Sequence, residues 1–403
     1  MPALPAPERD MGLAAAIVGL TVLVLIHEAG HFFAARAVGM TPRKFYLGFG
    51  PPLVKKTRGL VEYGIGCLPL GGYVKIPGMN RPSPGDLAAG LTAEARLRHQ
   101  DGLKRVDAAL AAGDEAGAKA ALAELPDDVR GSRTARELAW SLEPDAYWRQ
   151  ATWRRLVAIA AGPAVNLVFA LVLFTALFLV ATIRDTNIVD ATLKCEPARA
   201  AGIRAGDRVI AVAGRSVAPK EIPAAIQATA GRPFRITVAR SGKQIVLGPL
   251  SARPIDGRYR IGIAIEQRTG AGESLPAAVR DSLTLTWQVT SDTVTGLAHL
   301  ASGRDTNQVS SSVGIVRVSA QAWRAGLRDF LFVLGLISLA LGLLNLLPVL
   351  PLDGGHIVMA LVEKLRGRTF TQAVYIRYSV VGLTLFAVLM YFGLRNDLFG
   401  GGG

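Results

Sequence analysis

Long apolar runs divide the chain into blocks that can each cross a bilayer. Gly12 to Ala37, Leu156 to Ile183, Phe330 to Leu352 and Tyr375 to Leu394 each come near the ~20 residues a helix needs to traverse the hydrocarbon. The second is the most uniformly apolar, with the run LVFALVLFTALFLVATI. Between the blocks the pattern changes. Residues 45–81 carry short alternating stretches punctuated by Gly and Pro, and predict a membrane-associated β region. Residues 82–150 place Leu97, Leu103, Val106, Leu110, Ala118, Leu122 and Leu125 at helical spacing, broken at Gly113-Asp114 and Pro126-Asp127, and predict a cytoplasmic hairpin of helices. Residues 186–268 predict a compact α+β domain, with strands over 208–213, 234–239, 244–248 and 259–265 and a helix over 222–230. Residues 273–325 predict an amphipathic helical segment whose apolar positions 275, 279, 283 and 287 form one stripe. The fold class expected is a polytopic α-helical membrane protein of about four transmembrane helices. It carries a membrane-associated β-hairpin region and one extracytoplasmic α+β domain.

Composition sharpens this picture. Half of the 403 residues are hydrophobic and the formal net charge is +14. The basic residues are scattered and no nucleic-acid motif appears, so the charge speaks for a lipid bilayer and against nucleic acid. Arg36, Arg43, Lys44, Lys55, Lys56 and Arg58 follow the first block, and Lys364, Arg366, Arg368 and Arg377 separate the last two. Both clusters belong on the cytoplasmic side of a plasma membrane, which leaves residues 186–268 and both termini outside. The start, MPALPAPERD, lacks the net positive charge of a cleavable signal, so the first block is expected to be retained. Tyr147, Trp148, Trp153, Arg154 and Arg155 read as an interfacial belt. Cys67 and Cys195 fall on opposite sides in this topology, which argues against a disulfide between them, and they make no metal motif.

The candidate chemistry sits inside the first apolar block. His27-Glu28-Ala-Gly-His31 places two imidazoles one helical turn apart on one face, the spacing that binds one zinc. Glu28 beside them suits a general base on a metal-activated water. With only 5 histidines, chance gives such a pentapeptide in roughly two in a thousand chains of this composition. Histidine and glutamate are costly within a bilayer, so their presence there needs a function. A catalytic zinc wants a third protein ligand. The segment Asn345-Leu-Leu-Pro-Val-Leu-Pro-Leu-Asp353-Gly-Gly-His356 offers two. Pro348 and Pro351 break a helix and Gly354-Gly355 let the backbone turn closely, so Asp353 can be presented within the membrane. Alternatively the helix emerges there with Asp353 in water, and His356 is a rival ligand. His299 reads as an ordinary polar residue, and the glycines at the end of the chain carry no structural signal.

These motifs resemble the site-2 protease family of intramembrane zinc metalloproteases, which includes the bacterial regulator of sigma-E protease. HEAGH is similar to the family's HExxH, and NLLPVLPLDGG to its NxxPxxxLDG. The resemblance implies Zn2+ held by His27, His31 and Asp353, with Glu28 catalytic. GPAVN over 162–166 is similar to the family's GPxxN, which implies that Asn166, with Asn345, engages substrate backbone. LPLGGYVKI resembles the membrane-associated hairpin that pairs with an extended substrate, which implicates Gly71, Gly72 and Tyr73. GIRAGDRVIAVAGRSV resembles one PDZ domain, expected to bind a peptide C-terminus or to act as a size filter. The implied substrates are single-span membrane proteins, among them anti-sigma factors and signal-peptide remnants. Residues 82–150, the proline at 351 and a single rather than tandem PDZ depart from the family pattern. Two other classes compete: an inactive zinc/PDZ scaffold, which would lack a ligand, and a metal transporter, which would need polar residues along several spans.

Overall fold

In the computed structural model, residues 6–193, 196–255, 258–302 and 312–399 are described. Helix α1 (Ala6–Ala37) carries the first apolar block. It leads into two long strands, β1 (Lys44–Arg58) and β2 (Val61–Lys75). Both strands bend, so they pair more than once. Residues 54–58 pair with 61–65, while Lys44–Leu47 stand between 62–65 on one side and 72–75 on the other. Gly72–Lys75 therefore form an outer edge, beyond which no further strand pairs among the described residues. Alternation puts Phe45 and Val74 on the α1 side, with Phe45 edge-on to Phe32 at 5.3 Å. Tyr46, Tyr73, Lys44 and Lys75 fall on the opposite face.

The insertion folds around its own core and is more than the hairpin expected. It comprises α2 (Asp86–Ala89), α3 (Ala93–Arg98), α4 (Gln100–Ala112), α5 (Glu115–Ala123), α6 (Asp127–Arg130) and α7 (Arg133–Ser141). Thr92, Asp114 and Ser132 cap α3, α5 and α7 by accepting from amides three residues on. Gly113 ends α4 in the left-handed conformation that glycine adopts without strain. Leu103, Val106, Ala118, Leu122 and Leu125 are buried together as expected, joined by Leu87, Val129, Leu138 and Leu142. Leu97 is exposed, and α3 buries none of its residues in this core.

Helix α8 (Thr152–Val180) ends earlier than the apolar run, and β3 (Ala181–Thr192), which the apolar pattern concealed, takes over. The α+β unit, residues Ala176–Ala278, continues with α9 (Pro197–Ala200), β4 (Arg208–Val212), β5 (Arg215–Ser216), α10 (Ile222–Ala228), β6 (Phe234–Arg240) and β7 (Lys243–Leu250). The strand expected over 259–265 is split: β8 (Arg253–Ile255) and β9 (Arg258–Arg260) form a hairpin, and β10 (Ile263–Ala271) joins the main sheet. That sheet runs β10-β3-β4-β6-β7, antiparallel throughout, with β5 on β4. Ile203, Val209, Ile222, Ile236 and Val238 fill its core. Arg240 holds Asp207 at 2.7 Å and keeps its carboxyl below the usual carboxylate range. Cys195 lies outside the described residues.

The expected 273–325 segment is two helices, α11 (Leu275–Ala301) and α12 (Ser312–Ala325). The third apolar block is corrected as well: α13 (Leu327–Asn345) stops seven residues short of Leu352. Pro348 and Pro351 cannot donate, so 346–352 runs irregularly. A new helix, α14 (Asp353–Arg366), begins at Asp353, and α15 (Gln372–Phe399) closes the chain. A Cβ on Gly382 of α15 would collide with the Leu350 carbonyl, so glycine lets α15 lie against the break. Among the described residues four helices are long and apolar enough to cross a membrane: Asp10–Ala37, Thr152–Val180, Leu327–Asn345 and Gln372–Arg395. Their outward positions are apolar, as at Val22, Phe33, Val172, Val381 and Phe386. Such a surface is stable only against lipid or another protein.

Candidate metal centre

Helix α1 stacks His27 over His31, their Nε2 atoms 3.2 Å apart. Asp353, the first residue of α14, brings Oδ2 to 3.2 Å from His27 Nε2 and 3.3 Å from His31 Nε2. Both histidines are buried. Positions 326 residues apart meet because α13 is broken: a helix continued to Leu352 would carry Asp353 past this level.

The far side of each imidazole is anchored. His31 Nδ1 donates to the Ala158 carbonyl at 2.9 Å. A carbonyl only accepts, so this bond places the ring proton on Nδ1 and leaves the Nε2 lone pair facing Asp353. His27 Nδ1 lies 3.3 Å from the Asn166 carboxamide nitrogen, while Asn166 Oδ1 is buried with no partner among the described residues. Rotating the carboxamide by a half-turn satisfies both groups: Oδ1 accepts from Nδ1–H and His27 Nε2 is freed as well. Asn166 is wholly buried, and its own carbonyl accepts from Ser338 Oγ of α13 at 3.0 Å.

Three electron-pair donors thus converge with no proton between them, and Asp353 Oδ2 is buried with no hydrogen bond among the described residues. Such a triad repels itself unless its members share a positive charge, either a proton on one imidazole or a metal ion. Ligands about 2.0–2.1 Å from a tetrahedral zinc stand roughly 3.3 Å apart, which matches the separations found. His27, His31 and Asp353 therefore fit Zn2+. Imidazole and carboxylate suit that ion, and a fourth position is left for water.

Close backbone approach makes the geometry possible. A Cβ on Gly30 would lie 2.7 Å from the Ala161 carbonyl, and one on Gly162 would run into the His31 ring. These two glycines bring α1 and α8 together. Glu28 stands beside the triad, outside the donor cluster. The Val74 amide approaches its carboxylate, and a Cβ on Gly72 would sit 3.3 Å from Glu28 Cγ. Gly71 has φ +91°, with the Phe49 ring where its Cβ would be. Tyr73 stacks on Tyr46 at 5.3 Å.

The remaining sequence candidates lie elsewhere. His356 stacks on Tyr375 of α15 at 6.0 Å and is not among the clustered donors. Asn345 Nδ2 donates back to Leu341 of its own helix at 3.0 Å. Asn166 reaches His27 and not an open surface, so as placed it orients a ligand. Sequence reasoning missed the Ala158 carbonyl, Ser338 and the roles of Gly30 and Gly162. Only the pairing of small residues on two apolar blocks hinted at the last. It also missed a buried clamp on the Asp353 helix. Glu363 of α14 takes an ion pair from Arg155 of α8 and accepts the Phe370 amide at 2.7 Å.

Comparison with known proteins gives a consistent set. The model for peptidase family M50 matches residues 15–389. The zinc metalloprotease RasP of Geobacillus kaustophilus is 28% identical over 409 residues, covering 95% of this chain and 96% of that protein. The probable protease Eep of Enterococcus faecalis is 26% identical over 427 residues, covering 95% and 97%.

Proposed function

The chain belongs to peptidase family M50, the site-2 protease family, and is a zinc metalloprotease of a multi-pass membrane type; from that premise we propose that it hydrolyses peptide bonds within or beside the transmembrane segments of single-span membrane proteins. The observation that carries this reading is the Zn2+-compatible triad in which two histidines within an apolar helix meet Asp353 just past the break after α13, with the Glu28 carboxylate beside it. Anti-sigma factors and signal-peptide remnants are the substrate classes we favour. Placing the basic loops on the cytoplasmic face of a plasma membrane sets the reaction near that face.

A transmembrane helix hides its peptide bonds in its own hydrogen bonds, so it must unwind before it is cut. In our reading the unwound segment pairs along the Gly72–Lys75 edge, whose free groups replace the bonds it has lost. Gly72 lets that edge lie against Glu28. His27, His31 and Asp353 would hold Zn2+, which when bound would supply Lewis acidity and make a water more acidic. Glu28 removes the water proton and returns it to the leaving amide nitrogen. Asn166 and Ala158 hold the imidazoles in the tautomer this requires. The α+β unit is read as a PDZ domain that screens substrates by the size of their outer part.

The test is cleavage of a single-span substrate in proteoliposomes, with zinc content measured beside it. Glu28→Gln keeps the shape and loses the base, so we expect bound zinc with no detectable cleavage. Cleavage by this variant at the wild-type rate would overturn the mechanism.

A further inference from the structure

The face of the β sheet turned away from α1 is not free. Helix α7 of the insertion lies over it, and between them is a cavity of about 430 Å³. Tyr73 and Lys75 of β2 and Lys44 of β1 line one side of it. Arg133, Arg136, Glu137 and Trp140 of α7 line the other. Four cations thus meet one carboxylate. Glu137 is shared between Lys75 and Arg133, and Lys44 reaches Glu62 at 3.1 Å. Arg136 is exposed and makes no ion pair among the described residues. The cavity carries two positive charges in excess, over an aromatic floor of Tyr73 stacked on Tyr46.

Its position is the second observation. Tyr73 and Lys75 belong both to the cavity and to the outer edge of the sheet. A strand added to that edge alternates with the same period of two, so every second side chain falls on the face of Tyr73 and Lys75. We propose that this cavity is a specificity pocket for a carboxylate side chain, Asp or Glu, on the segment that pairs along Gly72–Lys75. This rests on the proteolytic reading above and adds to it a substrate chemistry and a role for the insertion. Arginine and lysine beside two aromatic rings suit a carboxylate, since the guanidinium offers paired donors and the rings shield the contact from water.

The experiment uses the full chain in proteoliposomes and a series of single-span substrates. Each substrate carries Glu, Ala or Lys in turn at the positions flanking the cut site. The wild type should favour Glu over Lys in kcat/KM at one position, or at alternate positions, by roughly tenfold or more, the worth of one hydrogen bond between charged groups. Arg136→Glu, a surface change without a folding partner to lose, should reverse the preference and restore cleavage of the Lys substrate. If the wild type cuts the series without regard to charge, the pocket proposal fails and the protease reading stands. If Arg136→Glu slows all substrates equally and weakens binding to anionic vesicles, the pocket serves lipid phosphate and the proposal is overturned. If the wild type cuts no member of the series, both readings fall.

Discussion

At the scale of single residues, the centre is governed by which nitrogen of each imidazole carries a proton. His31 takes its instruction from a backbone carbonyl, which no substitution at position 158 removes. His27 takes it from the Asn166 side chain, which a substitution does remove. Asn166→Ala should therefore weaken zinc binding by about 10–100-fold, as loss of a partner behind a metal-ligating histidine does. Competition with a chelator on the purified protein measures it. Asn166→Asp, which also accepts from Nδ1–H, should recover most of the affinity. Equal zinc affinity in wild type and Asn166→Ala would assign Asn166 to the substrate instead. HEAGH was legible by inspection because its meaning lies in a spacing of four. The work of Asn166 was not, because it depends on which way α8 turns that residue.

At the scale of elements, the decisive feature is a helix that stops. Asn345 ends α13, two prolines forbid its continuation, and Asp353 starts α14 at the level of the histidines. Gly354 and Gly355 tolerate this because a Cβ on either would strike the backbone of residues 346–350. What then holds α14 in place is its far end, where Glu363 and Arg155 are both buried. Glu363→Ala leaves a buried guanidinium without its partner, which costs about 3–5 kcal/mol. Thermal unfolding in detergent should show the loss, and a paired Arg155→Met, Glu363→Leu variant should regain most of it. A single variant as stable as the wild type would show that the clamp does not anchor α14. The prolines and glycines around Asp353 announced a break in the sequence. Arg155 and Glu363, 208 positions apart, gave no such notice, since a buried charge pair looks in sequence like two surface charges.

At the scale of the whole molecule, the α+β unit is inserted between α8 and α11, and its own core closes without help from the membrane helices. If it screens substrates by bulk, deleting residues 186–268 should let the enzyme cut substrates whose outer domains are intact. Wild-type enzyme should cut only trimmed ones, with trimmed substrates cleaved alike by both. Cleavage assays on paired long and short substrates decide this. Untrimmed substrates left whole by the deletion variant would end the filter idea. The insertion over 82–150 has a different standing. Its sequence suggested a solvated bundle, whereas α7 lies over the sheet and Glu137 meets Lys75.

The sequence by itself determined the four apolar blocks, the pair of histidines with their glutamate, and the proline-rich interruption before Asp353. Each is a local pattern, enforced by bilayer thickness, helical period or a missing amide proton. It also placed most strands of the α+β unit, though β3 was hidden because its first residues extend an apolar run. Tertiary structure alone decided that Asp353 and not His356 meets the histidines, that Asn166 backs His27, and that α7 roofs a basic cavity beside the outer strand edge. These depend on distances between segments far apart in the chain. Such distances follow from how closely glycines let helices approach and which face each element turns inward, and no spacing along the chain encodes either.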